Sequence, residues 1–178
     1  MPVNLDEMKQ HLKVDNDDVD DSLIEELLDA ATDYCQKETG RIFTSTTQID
    51  YFQGLCSVMD LEWSAPVSIT SITYLDNDGV RQTANPALYE LDDVSEPGRV
   101  ILAYAQSWPA FRTWPKSIEV TYIAGYGVAA EVPAGVKRTI KILVAHWYEH
   151  RMAVQEERLA NVPIGLDNML WKYKVTQA

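Results

Sequence analysis

Two histidines four residues apart, with a glutamate between them, are the side chains of this sequence best spaced for catalysis. The run His146-Trp147-Tyr148-Glu149-His150 fits H-x-x-E-H, the inverted zinc-peptidase pattern. On a helix, positions i and i+4 share a face, so both imidazoles can reach one zinc ion. The glutamate can then act on the metal-bound water. A zinc-dependent hydrolase built on His146, Glu149 and His150 is therefore one reading of the chain. That chemistry needs a third protein ligand, ordinarily a carboxylate well downstream. Glu156 and Glu157 follow too closely to lie on a separate helix. Both histidines also fall at the edge of an apolar stripe, where a neutral imidazole with a local hydrogen bond is common. The spacing thus favours no metal and no catalytic residue.

A second cluster, the acids of Asp15 to Asp21, invites calcium. An EF-hand loop needs oxygens at alternate positions, then a glycine, then a bidentate glutamate. Val19 occupies the third alternate position and no glycine follows. Acids just before a helix start, where the helix dipole favours negative charge, account for the run better. There is no G-x-S-x-G, P-loop or dinucleotide fingerprint, and Gly125-Tyr126-Gly127 lacks the lysine and the following helix that a phosphate site needs. Cys35 and Cys56 match no zinc or disulfide spacing. The residues point to no enzyme and no cofactor.

The elements that must position these residues read as helices, then strands, then helices. Asn4 followed by Glu7 is a capping-box pattern that starts a short helix ending near Leu12. A second helix is expected from about Ser22 to Thr39, with Leu23, Leu27, Ala30, Ala31 and Tyr34 as its apolar stripe and Glu25, Glu26, Asp29 and Asp33 opposite. Gly40 stops it. From about Thr47 to Tyr126 the period becomes two, as in Met59, Leu61 and Trp63 or Ile118, Val120 and Tyr122. Asp76-Asn77-Asp78-Gly79 is a turn between strands. Gln106 to Lys116 carries Trp108, Phe111 and Trp114 between prolines, an aromatic loop that either packs on the sheet or makes an inter-subunit contact. Pro133 opens the longest helix, whose stripe is Val136, Ile140, Leu143, Val144 and Trp147. Pro163-Ile164-Gly165 breaks the chain before a last short helix containing Leu166, Met169, Leu170 and Tyr173.

The fold class is therefore α+β. Residues 1–44 supply the N-terminal helices of a core, 45–128 an inserted antiparallel β subdomain, and 129–178 the long helix and tail. At 178 residues and 46% hydrophobic composition the chain can bury a core without staples. A formal net charge of −12 argues against gripping nucleic acid phosphates or an anionic membrane. An acidic surface suits DNA that must pass without sticking. The polar N-terminus has no signal-peptide pattern and no apolar run is long enough for a membrane helix. A soluble protein made in a cytoplasm is expected. Residues 1–40 carry twelve acids and three bases, whereas 134–178 carry seven bases and four acids. Opposite charges at the two ends suit head-to-tail contacts between copies, which close into rings.

A family resemblance runs through these same residues. Val3-Asn4-Leu5-Asp6-Glu7-Met8-Lys9-Gln10-His11-Leu12-Lys13-Val14-Asp15, followed by acids and Leu23-Ile24, resembles the opening of head–tail connector proteins of tailed bacteriophages. Tyr34 with Thr39-Gly40-Arg41 is similar to the end of that family's second helix. Pro66-Val67 with Ser71-Ile72-Thr73-Tyr74-Leu75-Asp76 and Gly79 resembles the longer subgroup, which carries a β insertion. Val120-Thr121-Tyr122 with Ala124-Gly125-Tyr126-Gly127 resembles the strand that returns to the helical core. Val132-Pro133, Ala145-His146-Trp147-Tyr148, Arg151, and then Pro163, Gly165 and Tyr173 follow in the family's order. Thr139 and His150 depart from its usual alanine and asparagine.

The resemblance implies a non-enzymatic connector, or head-completion adaptor, located at the head–tail interface of a virion. Copies would form a ring, typically a dodecamer, beneath the portal protein. The ring would extend the DNA channel and offer a docking surface to the tail or a second connector. The family's C-terminal segment tends to contact the portal, which here implicates Trp171, Lys172, Tyr173 and Lys174. Two other readings stand beside it: a tail-completion or tail-terminator protein, and a monomeric interaction domain.

Overall fold

In the computed structural model, which describes residues 1–14, 20–63, 65–149 and 165–175, the chain forms two compact units. Residues 1–44 and 127–174 make a helical unit, and residues 45–126 make a β unit. The elements are α+β as the periodicity implies, with antiparallel sheets set between helices in the sequence.

The helical unit starts at α1 (Leu5–Leu12), where Asn4 Oδ1 accepts the Glu7 amide at 2.7 Å. That bond satisfies one of the orphan donors of a helix N-terminus. The Glu7 carboxylate pairs with Lys141 Nζ of α3 (Ala134–Glu149) at 3.1 Å, so the capping residue also tethers two helices. α2 (Asp21–Thr39) ends at Gly40, which takes the left-handed conformation at φ +66°. α2 packs on α3, and α1 on both. Lys9 of α1 is buried and donates from Nζ to Asp21 Oδ2 at 2.6 Å, so its charge is matched where water is excluded.

The buried face of α2 corrects the stripe expected from sequence. Ile24, Leu28, Ala31, Cys35 and Thr39 are buried, while Leu23, Leu27 and Tyr34 are half-buried and Ala30 is exposed. Both sets have helical spacing, roughly a quarter-turn apart, because α2 is apolar over a wide arc. Packing against α3 chose the set that includes Cys35. Along α3 the buried set is Val136, Thr139, Ile140, Leu143 and Val144. The Thr139 hydroxyl is satisfied by the Gly135 carbonyl at 2.9 Å, and Trp147, expected in the stripe, is only half-buried.

The β unit contains two antiparallel sheets. The first has strand order β1-β7-β3-β4, from β1 (Thr46–Phe52), β7 (Ile118–Ala124), β3 (Pro66–Leu75) and β4 (Arg81–Thr83). The second is β2 (Val58–Asp60), β6 (Arg99–Leu102) and β5 (Tyr89–Asp92), in that order. β7 is central and alternates fully buried Ile118, Val120, Tyr122 and Ala124 with half-buried residues. The β3–β4 turn is held by Asp76, whose Oδ1 accepts the amides of Asp78 and Val80 at 3.0 and 2.8 Å. Gln82 Nε2 donates to its Oδ2 at 2.9 Å, and these bonds hold the Asp76 carboxyl below its ordinary range. Gly79 supplies the positive φ.

A polar group sits at the heart of this unit. Asp50 of β1 points inward and is buried. Its Oδ2 accepts the Glu62 amide at 2.7 Å and the Tyr122 hydroxyl at 3.0 Å. The Tyr122 oxygen in turn accepts the Trp63 amide at 3.3 Å. This network ties the chain after β2 to the first sheet and satisfies the buried Tyr122 hydroxyl and Asp50 carboxylate. Burial pushes the Asp50 carboxyl above its ordinary value, against the lowering effect of both hydrogen bonds.

Two measurements follow. Leu28→Ala, at a fully buried site, is expected to lower unfolding stability by about 2–5 kcal/mol, clearly more than Leu23→Ala; equal losses in urea unfolding would contradict the observed face of α2. Because the folded chain holds the Asp50 proton more tightly than the unfolded one, stability is lost as pH rises through the unfolded pKa toward the raised folded value. Asp50→Asn, which still accepts both bonds, is expected to flatten that slope without loss of stability near neutral pH. Asp50→Ala leaves the buried Tyr122 hydroxyl and the part-buried Glu62 amide without their acceptor and is expected to cost about 1–3 kcal/mol.

Candidate functional site

The C-terminal segment is held against the helical unit by its own residues. After α4 (Leu166–Leu170) the chain makes a single tight turn, Trp171–Tyr173. Leu170 is 3% exposed and belongs to the core. Arg41 Nε donates to the Tyr173 carbonyl at 2.8 Å, and Lys174 Nζ meets Glu38 Oε2 at 3.2 Å. Tyr173 lies so close to Gly135 of α3 that a Cβ there would stand 2.6 Å from its hydroxyl. The absent side chain of Gly135 lets the ring approach.

The four residues expected to meet a partner therefore divide. Tyr173 and Lys174 are engaged within the chain. Trp171 is 77% exposed and Lys172 is exposed beside it, its ammonium 4.9 Å from the Tyr173 ring centre. A large indole held outward by a fixed turn has already lost much of the freedom that binding would otherwise remove. Removal of the segment would also take Leu170 out of the core.

The aromatic loop divides the same way. Trp108 stacks on Tyr89 with ring centres 6.3 Å apart, and its Nε1 donates to the Cys56 carbonyl at 2.9 Å. Phe111 covers Gly54, where a Cβ would stand 3.3 Å from the ring. Both are half-buried and fasten the loop to its own unit. Trp114 is 58% exposed, with the Arg112 guanidinium 5.6 Å from its ring centre.

The zinc-like run is only partly within the described residues. His146 and Glu149 lie in the last turns of α3, and His150 lies outside the described residues, as do Asp15 to Val19 of the acidic run. Among the described residues no three His, Cys, Asp or Glu side chains gather to hold a metal ion. Tyr148, between the histidines, donates its hydroxyl to Asp20 Oδ2 at 2.5 Å, a contact between the end of α3 and the start of α2. Cys35 is buried, and burial with the nearby Glu38 charge pushes its thiol up to about 12, which leaves it unreactive. Among the described residues no helix is long and apolar enough to cross a membrane. What the described residues offer is surface: exposed aromatics and paired charges.

Comparisons with known proteins agree in kind. No curated protein matches the sequence. Among solved structures the fold is similar to a chain in "Neck of empty GTA particle computed with C6 symmetry", with TM-score 0.82, 17% identity, and 99% of this chain and 91% of that one covered. It is also similar to a chain in "Neck of native GTA particle computed with C12 symmetry", with TM-score 0.78, 17% identity, and coverage of 98% and 89%. A third likeness is to a chain in the virion of a native gene transfer agent particle, with TM-score 0.76, 18% identity, and coverage of 99% and 91%. A family model described as "Head completion protein" matches residues 3–160. Matched in this way over most of its length, the chain belongs to the head completion protein family.

Proposed function

We propose that this chain is a head–tail connector: a structural subunit whose copies form a ring beneath the portal, extend the DNA channel, and present a docking surface to the tail or a second connector. The observation that carries this reading is the family match along residues 3–160. The fold shared with chains of particle necks supports it, and a related neck's C12 symmetry supports twelve copies. The mechanism is assembly, with no bond made or broken. A net charge of −12 suits a passage through which DNA slides, since few cations are left to hold phosphates.

In this reading the portal contact is made by Trp171 and Lys172. The indole supplies the apolar anchor that interface hot spots favour, and the ammonium supplies a charge for an acidic partner. Tyr173, Lys174 and Leu170 hold that pair in place.

Electron microscopy of the purified chain with portal is expected to show rings of about twelve copies. A chain that stays a monomer at every concentration, with or without portal, rejects the connector reading. Trp171→Ala with Lys172→Ala is expected to change unfolding stability by no more than about 0.5 kcal/mol, as exposed positions do, yet to abolish joining to portal and completion of heads. Leu170→Ala is expected to lose about 2–5 kcal/mol. A Trp171/Lys172 variant that still completes heads would remove those residues from the contact.

A further inference from the structure

In a chain with 27 acids, the stretch from Ala103 to Ser117 contains none; it carries two cations, Arg112 and Lys116, and four aromatic residues. The fold gathers part of that stretch against the end of β1. The Trp114 amide donates to the Gln53 carbonyl at 3.3 Å, and the Ser117 hydroxyl donates to the same oxygen at 2.9 Å. Lys116 Nζ stands 5.4 Å from the ring centre of Tyr51, as Arg112 does over Trp114. Both rings are about half exposed, and both cations are exposed. Glu119, opposite Tyr51 in the ladder, is taken up by Arg81 at 3.5 Å. The surface formed by Tyr51, Arg112, Trp114 and Lys116 is therefore cationic and aromatic, the composition of an interface hot spot.

The neighbouring strand edge is unpaired among the described residues of the β unit. The Leu75 amide donates to the Ser117 carbonyl at 3.1 Å. This fixes the alternation: the odd-numbered residues of β7 face β3 and the even-numbered ones face β1. The register Gln48↔Tyr122 and Asp50↔Val120 then turns the backbone groups of Thr47, Ile49 and Tyr51 away from the sheet. Among the described residues no strand pairs with that side. None of the three is charged or proline, and Ile49 and Tyr51 are 47% and 49% exposed. Proteins ordinarily blunt a free edge with charge or proline, or cover it with a helix or loop. At the other end of the sheet β4 is three residues long and carries Arg81.

A complementary surface exists on every copy. Glu25, Glu26 and Asp29 of α2 are exposed, and no described residue forms an ion pair with them. Asp33 beside them pairs with Lys37 at 2.7 Å. Ala30 is exposed among these acids, a low point on the helix that a large ring can cover. We infer that the Tyr51–Arg112–Trp114–Lys116 surface docks on the acidic face of α2 of a second copy, beside the unpaired β1 edge, and that the acids meet the two cations. Two different surfaces meeting in this way make a heterologous contact, the kind that closes into a ring. Duplex DNA fits the surface less well: two cations on a chain of charge −12 supply little counterion release.

The inference rests on the ring reading and is tested separately from it in the full-length chain. Rings are followed by sedimentation velocity and electron microscopy. Arg112→Glu with Lys116→Glu, and separately Glu26→Lys with Asp29→Lys, are each expected to raise the concentration needed for assembly by about tenfold or more, as opposed like charges do. All four substituted positions are exposed, so the circular dichroism spectrum and unfolding midpoint should stay unchanged. The chain carrying all four substitutions restores the pairing with reversed signs, and its rings are expected to return. Wild-type rings that survive either double substitution, or a fourfold variant no better than the doubles, overturn the inference and leave the ring reading standing. A wild-type chain that forms no ring overturns both. Retention of short duplex DNA that Arg112→Glu with Lys116→Glu abolishes while rings persist would reassign the surface to phosphates and overturn it too.

Discussion

The pairing of β1 with β7 is the constraint on which the rest of this architecture depends. Thr46 lies opposite Ala124 and Phe52 opposite Ile118, so the chain leaves the helical unit and returns to it at neighbouring points of one ladder. Some eighty residues of strands and loops thus close on themselves before α3 begins. Without that closure the two halves of the helical core would be joined by a long, unconstrained loop, whose closure entropy would oppose the packing of α2 on α3. The ladder's register is protected in turn. A slip of β1 by one residue would turn Asp50 to the opposite face, out of reach of Tyr122, while β7 stays held by β3.

Each unit is compact in its own right. In each unit some aromatics are spent on holding the chain and others are left outside. Tyr173 and Leu170 fix the turn that exposes Trp171; Trp108 and Phe111 fix the loop that exposes Trp114. An exposed ring on a fixed backbone loses less entropy on docking than one on a floppy segment. The same logic explains the polar network at Asp50, which ties the backbone after β2 to the central sheet without needing a metal or a disulfide.

Much of this was legible before any coordinates. The Asn4 cap, the Gly40 stop, the Asp76–Gly79 turn and the alternation of β7 are local rules that the structure obeys. The α2 stripe was not legible. Two apolar sets with the same spacing occupy adjacent arcs, and only the partner helix decides which one is buried. How the expected contact residues divide into exposed and engaged was not legible either, for a related reason. Trp171 and Tyr173 are alike by composition, and their separation into exposed and engaged depends on the space beside Gly135 and the reach of Arg41. Of the exposed surface at Tyr51, Arg112, Trp114 and Lys116 only Trp114 was singled out from sequence; Tyr51 lies about sixty residues from the rest, although the acid-free stretch from 103 to 117 was a signal in plain view.

By itself the sequence determined the class of the protein. Its periodicities set helices around inserted antiparallel sheets, and its ordered motifs resembled a connector family. Those properties are local or summed along the chain, so one dimension suffices to read them. Tertiary structure alone decided which of several equivalent apolar faces is buried, where Asp50 finds its donors, and which aromatics are left exposed. Each of those outcomes depends on groups far apart in sequence competing for the same space, and that competition is resolved only when the chain packs.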